Sequence, residues 1–417
     1  MKITIAEAGS SKNIGSMALI ENSIKIAKQI DNNCVINVLT NDLKCTKESL
    51  NNSTINLYDD LFVFPSGKLL NKVMWIINTF VWILLVKLIL CFTKKPYKYL
   101  IGRKAKVLKS IANSDYVLCI GAERINDVYY KTAYLSLEAL DLYERMGVKL
   151  IHLSLTIGPV FYKSTIRKAQ KVLNKSYAIF VRDQKSFNLL TEFKICGPKI
   201  YNTYDIAILQ DCLTDGKNLL ERLGINDNVE YVCVSVINWI FRKVKGPIRQ
   251  DEYNKAVAET IDYIIEKYKL KIVFTPTVVG LYDVDDVKAA QNIIKLIKNK
   301  NEVIEIKCLL SPKEMATIFS RSKFSIVTRM HAAILCTAAG GKPIISINYL
   351  YKLREYMRNI DFENYSVDID YTNTDDLKKF VDMMMKHYEI NLINLNNRIK
   401  LMQDNLRNSI INCFLEK

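Results

Sequence analysis

The chain has ten cysteines, yet no two stand in a C-x-x-C pair, so the sequence offers no zinc-ribbon or iron–sulfur signature. Glycine (14) and proline (8) are scarce in 417 residues, which excludes collagen-like and linker-like sequence and leaves a chain built mostly of regular elements. There are three histidines, so imidazole chemistry has few places to occur. The N-terminal stretch MKITIAEAG lacks the apolar core and cleavage site of a secretory signal, and the expectation is a protein whose bulk faces the cytoplasm. Thiols in apolar contexts, Cys119 and Cys233 among them, agree with a reducing compartment. No repeat of solenoid length and no low-complexity tract interrupts the pattern.

Positive charge is plentiful: 59 Lys+Arg against 43 Asp+Glu give a net charge of +16. Such a balance points to anionic partners, which include nucleic acid, phosphorylated metabolites and an acidic membrane surface. Nucleic acid is set aside, because the basic residues are dispersed and no aromatic-basic recognition motif is present. An apolar composition of 49% supplies cores for two domains at roughly 150 residues each. One long apolar run stands out, Val73 to Phe92, with Lys87 its single charge and Lys94-Lys95 behind it. It is long enough to span a bilayer. Its internal lysine, two tryptophans and basic flank favour a helix lying against the inner membrane face over a core helix or a span.

Short β-branched runs alternate with helical stretches along both halves. Lys2 to Ala6, Val35 to Leu39, Asp115 to Ile120, Lys149 to Ser154 and Tyr177 to Val181 read as strands, with helices at Ser16 to Ile30 and Thr132 to Arg145. The second half repeats this with strands at Tyr231 to Val236, Ile272 to Thr275, Val303 to Cys308, Phe324 to Val327 and Ile344 to Asn348. The fold class is therefore α/β, with two Rossmann-like domains whose parallel sheets bind ligands at strand carboxyl ends. The expected division is 1–215, carrying the apolar helix 73–92, then 216–375, then a helical segment 376–417. In that last segment Leu392, Leu395, Ile399, Met402, Leu406, Ile410 and Cys413 recur at helical spacing and make one long amphipathic helix.

Chemistry concentrates in KFSIVTRMHAAILCTAAGGKPIISINYLYK, residues 323–352. A buried strand runs into a small-residue helix, Met330 to Ala339, closed by Gly340-Gly341. Arg329 and His331 sit at the turn between them, where helix N–H groups attract an anion and a guanidinium adds a planar, permanent charge. Taken alone, His331 also fits a purely structural role, capping the helix or bonding a backbone carbonyl. Tyr349 and Lys352 follow the next strand, and Lys352 reads equally as a solvated loop lysine. In the first half, Arg182-Asp183 stands at the end of a strand in the same way, either as a ligand site or as a local ion pair.

Together these motifs make the chain resemble the polysaccharide pyruvyl transferase family. The resemblance rests on Asn13-Ile14-Gly15, Gly121-Ala122-Glu123, Ile157-Gly158-Pro159, Arg182-Asp183-x-x-Ser186, Asp205, the Asp285-Asp286 helix start and, above all, Arg329-Met330-His331-Ala332 with Tyr349 to Lys352. It implies a GT-B-like fold, phosphoenolpyruvate as donor, and a sugar or lipid-linked oligosaccharide of a cell-surface glycan as acceptor. The product would be a cyclic pyruvate ketal, formed without metal or cofactor. By the same resemblance Arg182 and Arg329 would hold the donor's phosphate and carboxylate, and His331 would be the general acid. Asn13, Gly15, Gly121, Glu123, Asp205, Tyr349 and Lys352 would line the substrate sites. Ser16 and Ala122-Glu123 depart from the family pattern, and both bear on the acceptor. Two other readings stand beside this one: a GT-B glycosyltransferase using a nucleotide-sugar, and a non-catalytic glycan-binding relative.

Overall fold

The structure is a computed structural model and describes residues 1–415 apart from 51–53, 66, 122, 240, 242–245 and 282–283. Two compact units are present: unit 1 comprises Met1–Ser11, Leu19–Ile206 and Asn405–Lys417, and unit 2 comprises Lys12–Ala18 and Ala207–Asp404. The short piece Lys12–Ala18 thus belongs with the second half of the sequence.

Unit 1 holds a seven-stranded parallel sheet of β1 (Lys2–Ala8), β2 (Val35–Thr40), β3 (Ile55–Asp59), β4 (Tyr116–Cys119), β5 (Lys149–Leu155), β6 (Ala178–Val181) and β7 (Lys199–Asn202). Their order is β3-β2-β1-β4-β5-β6-β7. Unit 2 holds β8 (Tyr231–Ser235), β9 (Lys271–Phe274), β10 (Val303–Glu305), β11 (Ser325–Val327), β12 (Ile344–Asn348) and β13 (Ser366–Asp368), ordered β10-β9-β8-β11-β12-β13. Central strands are β-branched on both faces, and Ile3, Ile5, Val38, Val117, Ile151, Val232, Val234 and Ile326 are all buried. Each such side chain contributes roughly 1.5–3 kcal/mol, which is why parallel sheets read as continuous apolar runs. The two-Rossmann reading of the sequence holds. Edge strands β3, β7 and β13 escape it, because INLYD, KIYN and SVD are only partly buried and carry no apolar run.

The helices of the first half are α1 (Ile14–Ile30), α2 (Leu43–Leu50), α3 (Leu69–Ile89), α4 (Arg103–Ala112), α5 (Tyr130–Arg145), α6 (Lys163–Leu173) and α7 (Gln184–Glu192). Then follow α8 (Lys217–Arg222), α9 (Gly246–Tyr263), α10 (Asp286–Ile294), α11 (Pro312–Arg321), α12 (Met330–Ala338), α13 (Tyr351–Asn359), α14 (Thr374–Lys386) and α15 (Tyr388–Leu415). The C-terminal stripe Leu395, Ile399, Met402, Leu406, Ile410 and Cys413 is buried along α15, as its spacing predicts.

Helix α3 is placed where the apolar run suggests but starts four residues earlier, at Leu69, and ends at Ile89 rather than Phe92. It is long and apolar enough to cross a membrane, yet only Thr79, Ile83 and Val86 are buried in the protein. Its internal lysine faces inward: Lys87 Nζ lies 2.5 Å from Glu138 and 3.6 Å from Asp141 on α5. Phe80, Val81, Leu84 and Leu88 are left exposed. The helix is therefore inverted relative to a globular core helix, with charge turned toward protein and hydrocarbon toward solvent.

Candidate active site

In an open parallel sheet the crevice opens at the carboxyl ends of the strands, where the order reverses. In unit 2 that point lies between β8 and β11. Their register pairs Val327 with Ser235, so both strands end together, and the Thr328 N–H donates to the Ser235 carbonyl at 2.9 Å. The chain then turns through Thr328 and Arg329 into α12. Arg329 occupies the N-cap position but supplies no side-chain cap, and the positive end of the helix dipole lies at this turn.

Asp286 holds the guanidinium. Its Oδ1 accepts from Arg329 Nε at 3.1 Å and Nη2 at 2.7 Å, and Val284 O accepts from Nη2 at 3.0 Å. Its Oδ2 accepts from the Thr277 N–H and hydroxyl and from the Val278 N–H, at 3.0 to 3.1 Å. Burial pulls the Asp286 carboxyl upward while Arg329 and these N–H donors pull it down. Burial likewise works against the charge of Arg329, but Asp286 and Tyr349 more than restore it, so Arg329 stays a cation. Its side chain keeps 14% exposure and is reachable.

The Asn13-Ile14-Gly15 motif locks onto the same loop. Asn13 forms an antiparallel bridge with Val278, and the Ile14 N–H donates to Thr277 O at 2.8 Å. Asn13 Oδ1 accepts from the Gly15 N–H at 2.9 Å and starts α1. Gly15 packs directly on the imidazole, since a Cβ there would lie 2.3 Å from both Cγ and Nδ1 of His331. Nearby, Tyr253 bonds the Thr328 hydroxyl at 2.9 Å, and the Tyr349 ring lies 4.8 Å from that of Trp239. Lys352 is buried in the first turn of α13, which removes its reading as a solvated loop residue. At the carboxyl ends of β8 and β12, and just past β9, the buried Ser235 Oγ, Asn348 Nδ2 and Thr275 Oγ1 have no partner among the described residues. Groups of this kind are costly unless something bonds them.

Unit 1 gathers the remaining candidates. Arg182, at the end of β6, donates to Asp205 at 2.5 Å and to Thr156 Oγ1 at 2.6 Å; the two ion-pair side chains are 4% and 2% exposed. Burial opposes the Arg182 charge, and Asp205, Glu123 and Asp183 hold it. Asp183 caps α7 through the Ser186 N–H at 2.8 Å. Gly121 lies two residues past the end of β4, and Ala122 lies outside the described residues.

Thus Asn13, Gly15, Arg329, His331 and Tyr349 form one group, with Lys352 on the following helix, while Gly121, Glu123, Arg182 and Asp205 belong to the other unit. Asn13 and Gly15, expected on the acceptor domain, pack in unit 2. Sequence reasoning missed Asp286, Thr277, Thr328 and Tyr253. The pair Asp285-Asp286 was visible only as a helix start, and nothing in it tells which carboxylate caps: Asp285 accepts from the Val287 N–H at 3.0 Å and leaves Asp286 to turn inward.

Two parallel Rossmann-like units with ligand crevices at their strand ends define a GT-B-like α/β protein. Solved structures with a similar fold include UDP-GlcNAc 2-epimerase from Neisseria meningitidis bound to UDP-GlcNAc, at 14% identity, all of each chain covered and a TM-score of 0.59. Sucrose-phosphate synthase from Thermosynechococcus elongatus is similar at 9% identity, with 100% of this chain and 98% of that one covered and a TM-score of 0.58. The UDP-GlcNAc 2-epimerase of Methanocaldococcus jannaschii gives 15%, 92%, 93% and 0.57 for the same quantities. At such identities the likeness is one of fold. The family comes from the sequence: the family model for polysaccharide pyruvyl transferase matches residues 13–351, and the chain belongs to that family.

Proposed function

We propose that the protein transfers the pyruvyl group of phosphoenolpyruvate to two hydroxyls of a sugar in a cell-surface glycan, forming a pyruvate ketal. The observation that carries this reading is the pairing of Arg329 and His331 at the N-terminus of α12, at the β8/β11 crevice, within the matched family. A small dianion needs such a place: a fixed guanidinium, helix N–H groups and uncommitted polar side chains.

In this reading His331 protonates the methylene carbon of the enol ester, leaving an oxocarbenium-like centre at C2. One sugar hydroxyl adds to C2 and gives up its proton. The second forms the other C–O bond as the C2–O bond to phosphate breaks, and inorganic phosphate leaves with the remaining proton. Arg329 stabilises the charge on that leaving group, a contact worth on the order of 3 kcal/mol in a transition state. Gly15 and Asn13 position His331, and Asp286 and Tyr349 position Arg329. Arg182, expected from the sequence as a second donor ligand, has Asp205 and Thr156 as its own partners. We therefore assign it the positioning of Asp205 and Glu123.

The exposed apolar face of α3, flanked by Lys68, Lys72, Lys94 and Lys95, docks on an anionic leaflet in this proposal, which suits a lipid-linked acceptor. Titration calorimetry tests the donor assignment. Phosphoenolpyruvate should bind the wild type, and Arg329→Ala should weaken it roughly tenfold to hundredfold, the loss of one charge-assisted bond. Binding of UDP without binding of phosphoenolpyruvate would sink the proposal and favour a nucleotide-sugar enzyme.

A further inference from the structure

The sheet of unit 1 has its own reversal, between β1 and β4, where Ala6 pairs with Cys119 at the end of β4 and β1 runs on to Ala8. A cavity of about 180 Å³ lies at that point. Its polar lining includes Glu7, Asp60, Arg124, Lys131, Ser136 and Tyr143, and Phe62 is among its apolar lining. All of these residues belong to unit 1.

Three features mark the cavity as built. Glu7 has φ +64, an uncommon conformation for a residue with a side chain, which persists where the surroundings impose it. Gly121 permits the approach of its neighbours, since a Cβ there would lie 2.4 Å from Arg124 Cγ and 2.7 Å from Glu7 Cβ. Arg124 then reaches across: Nη2 donates to the Glu7 carbonyl at 3.2 Å and lies 3.9 Å from Asp60 Oδ2. Ser136 donates to the Glu7 carboxyl. The third feature is Tyr143, 1% exposed, whose hydroxyl has no hydrogen-bond partner among the described residues. A buried orphan of that kind costs about 1–3 kcal/mol unless a ligand satisfies it.

The chemistry of the lining selects the ligand class. Glu7 and Asp60 disfavour an anion, while Arg124 and Lys131 disfavour a cation. Burial pushes Glu7 up to about 7, so near neutral pH it serves a hydroxyl equally as donor or acceptor. Pockets for drug-sized ligands measure about 300–1,000 Å³, so this smaller cavity suits a single ring.

We propose that this cavity binds one uncharged sugar ring of the acceptor, with its hydroxyls on Glu7, Asp60, Arg124 and Tyr143 and its C–H face toward Phe62. The inference rests on the reading above that the acceptor is a sugar. It names the subsite that sugar enters.

Saturation-transfer NMR on the full chain, without phosphoenolpyruvate, tests it with a panel of methyl glycosides of the common hexoses and N-acetylhexosamines. At least one should bind, and Tyr143→Phe should weaken it roughly fivefold to tenfold, the loss of one hydrogen bond. That substitution removes no bond among the described residues, so folding should be unchanged or improved. Glu7→Gln should weaken the same glycoside by a similar factor, and His331→Ala should bind it as the wild type does. No binding by any glycoside, or equal affinity in wild type, Tyr143→Phe and Glu7→Gln, overturns the assignment. Failure of the donor reading would show separately, as loss of phosphoenolpyruvate binding with glycoside binding intact.

Discussion

Gly15→Ala is the most informative single change. The new methyl would stand 2.3 Å from Cγ and Nδ1 of His331, where ordinary contact begins at 3.4 Å. Either the imidazole or the Asn13–Gly15 turn must move by about 1 Å, and a displacement of that size at a reacting group costs about 10²-fold. The turn is pinned by the Asn13–Val278 bridge and by Ile14 N–H to Thr277 O at 2.8 Å, so the imidazole gives way. Overpacking of this kind costs about 1–3 kcal/mol in stability. The assay is release of inorganic phosphate from phosphoenolpyruvate in the presence of acceptor, measured well below the melting temperature. The expected result is kcat reduced about a hundredfold, KM for phosphoenolpyruvate nearly unchanged and secondary structure intact by circular dichroism. A Gly15→Ala variant with wild-type kcat would refute the contact between Gly15 and the proton donor.

Other outcomes follow from the same geometry. Asp286→Ala strips Arg329 of its buried partner and frees the Thr277–Val278 N–H groups, so chemical denaturation should show a loss of about 3–5 kcal/mol. Glu7, raised from 4.5 to about 7 by burial, binds its proton more tightly folded than unfolded. Its effect is therefore a loss of stability as pH rises from 4.5 to 7, about 3 kcal/mol at most, and Glu7→Gln should remove that share of the pH dependence. Glu144, raised from 4.5 to about 8 by burial, adds a loss of the same sign from 4.5 up to 8, while His152, lowered from 6.5 to about 4 by burial, works the other way between 4 and 6.5, so the Glu7 contribution is read as the difference between wild type and Glu7→Gln. Replacing Ile77, Phe80 and Leu84 of α3 together by aspartate should abolish cosedimentation with phosphatidylglycerol–phosphatidylcholine vesicles while leaving phosphate release in solution unchanged. Equal sedimentation of variant and wild type would remove the docking role.

What the sequence disclosed was whatever periodicity and end signals encode. Runs such as KITIA, YVCVS and IISIN are buried on both faces and read as strands, and RMHAAIL announces a strand-to-helix turn without further context. The edge strands β3 and β7 were silent because a strand with one neighbour and partial exposure needs no apolar run. Segment Lys12–Ala18 follows β1 in sequence but folds with unit 2, a choice made by long-range backbone bonds to Thr277 and Val279 that no local pattern carries. Glu7 and Asp60 were overlooked for a similar reason. Each is one acid at a strand end, and only the parallel register brings them to a common cavity with Arg124 and Tyr143. Lys87, an apparent flaw in an apolar helix, made sense once Glu138 and Asp141 were seen opposite it.

The central claim is that Arg329 and His331 act on phosphoenolpyruvate to make a ketal. Mass analysis of a glycan panel incubated with the enzyme and phosphoenolpyruvate tests it most directly. The account predicts a glycan heavier by one pyruvate less one water, formed in step with inorganic phosphate by the wild type and absent with His331→Ala. Unmodified glycans throughout the panel, or the same product from His331→Ala at the wild-type rate, would contradict it.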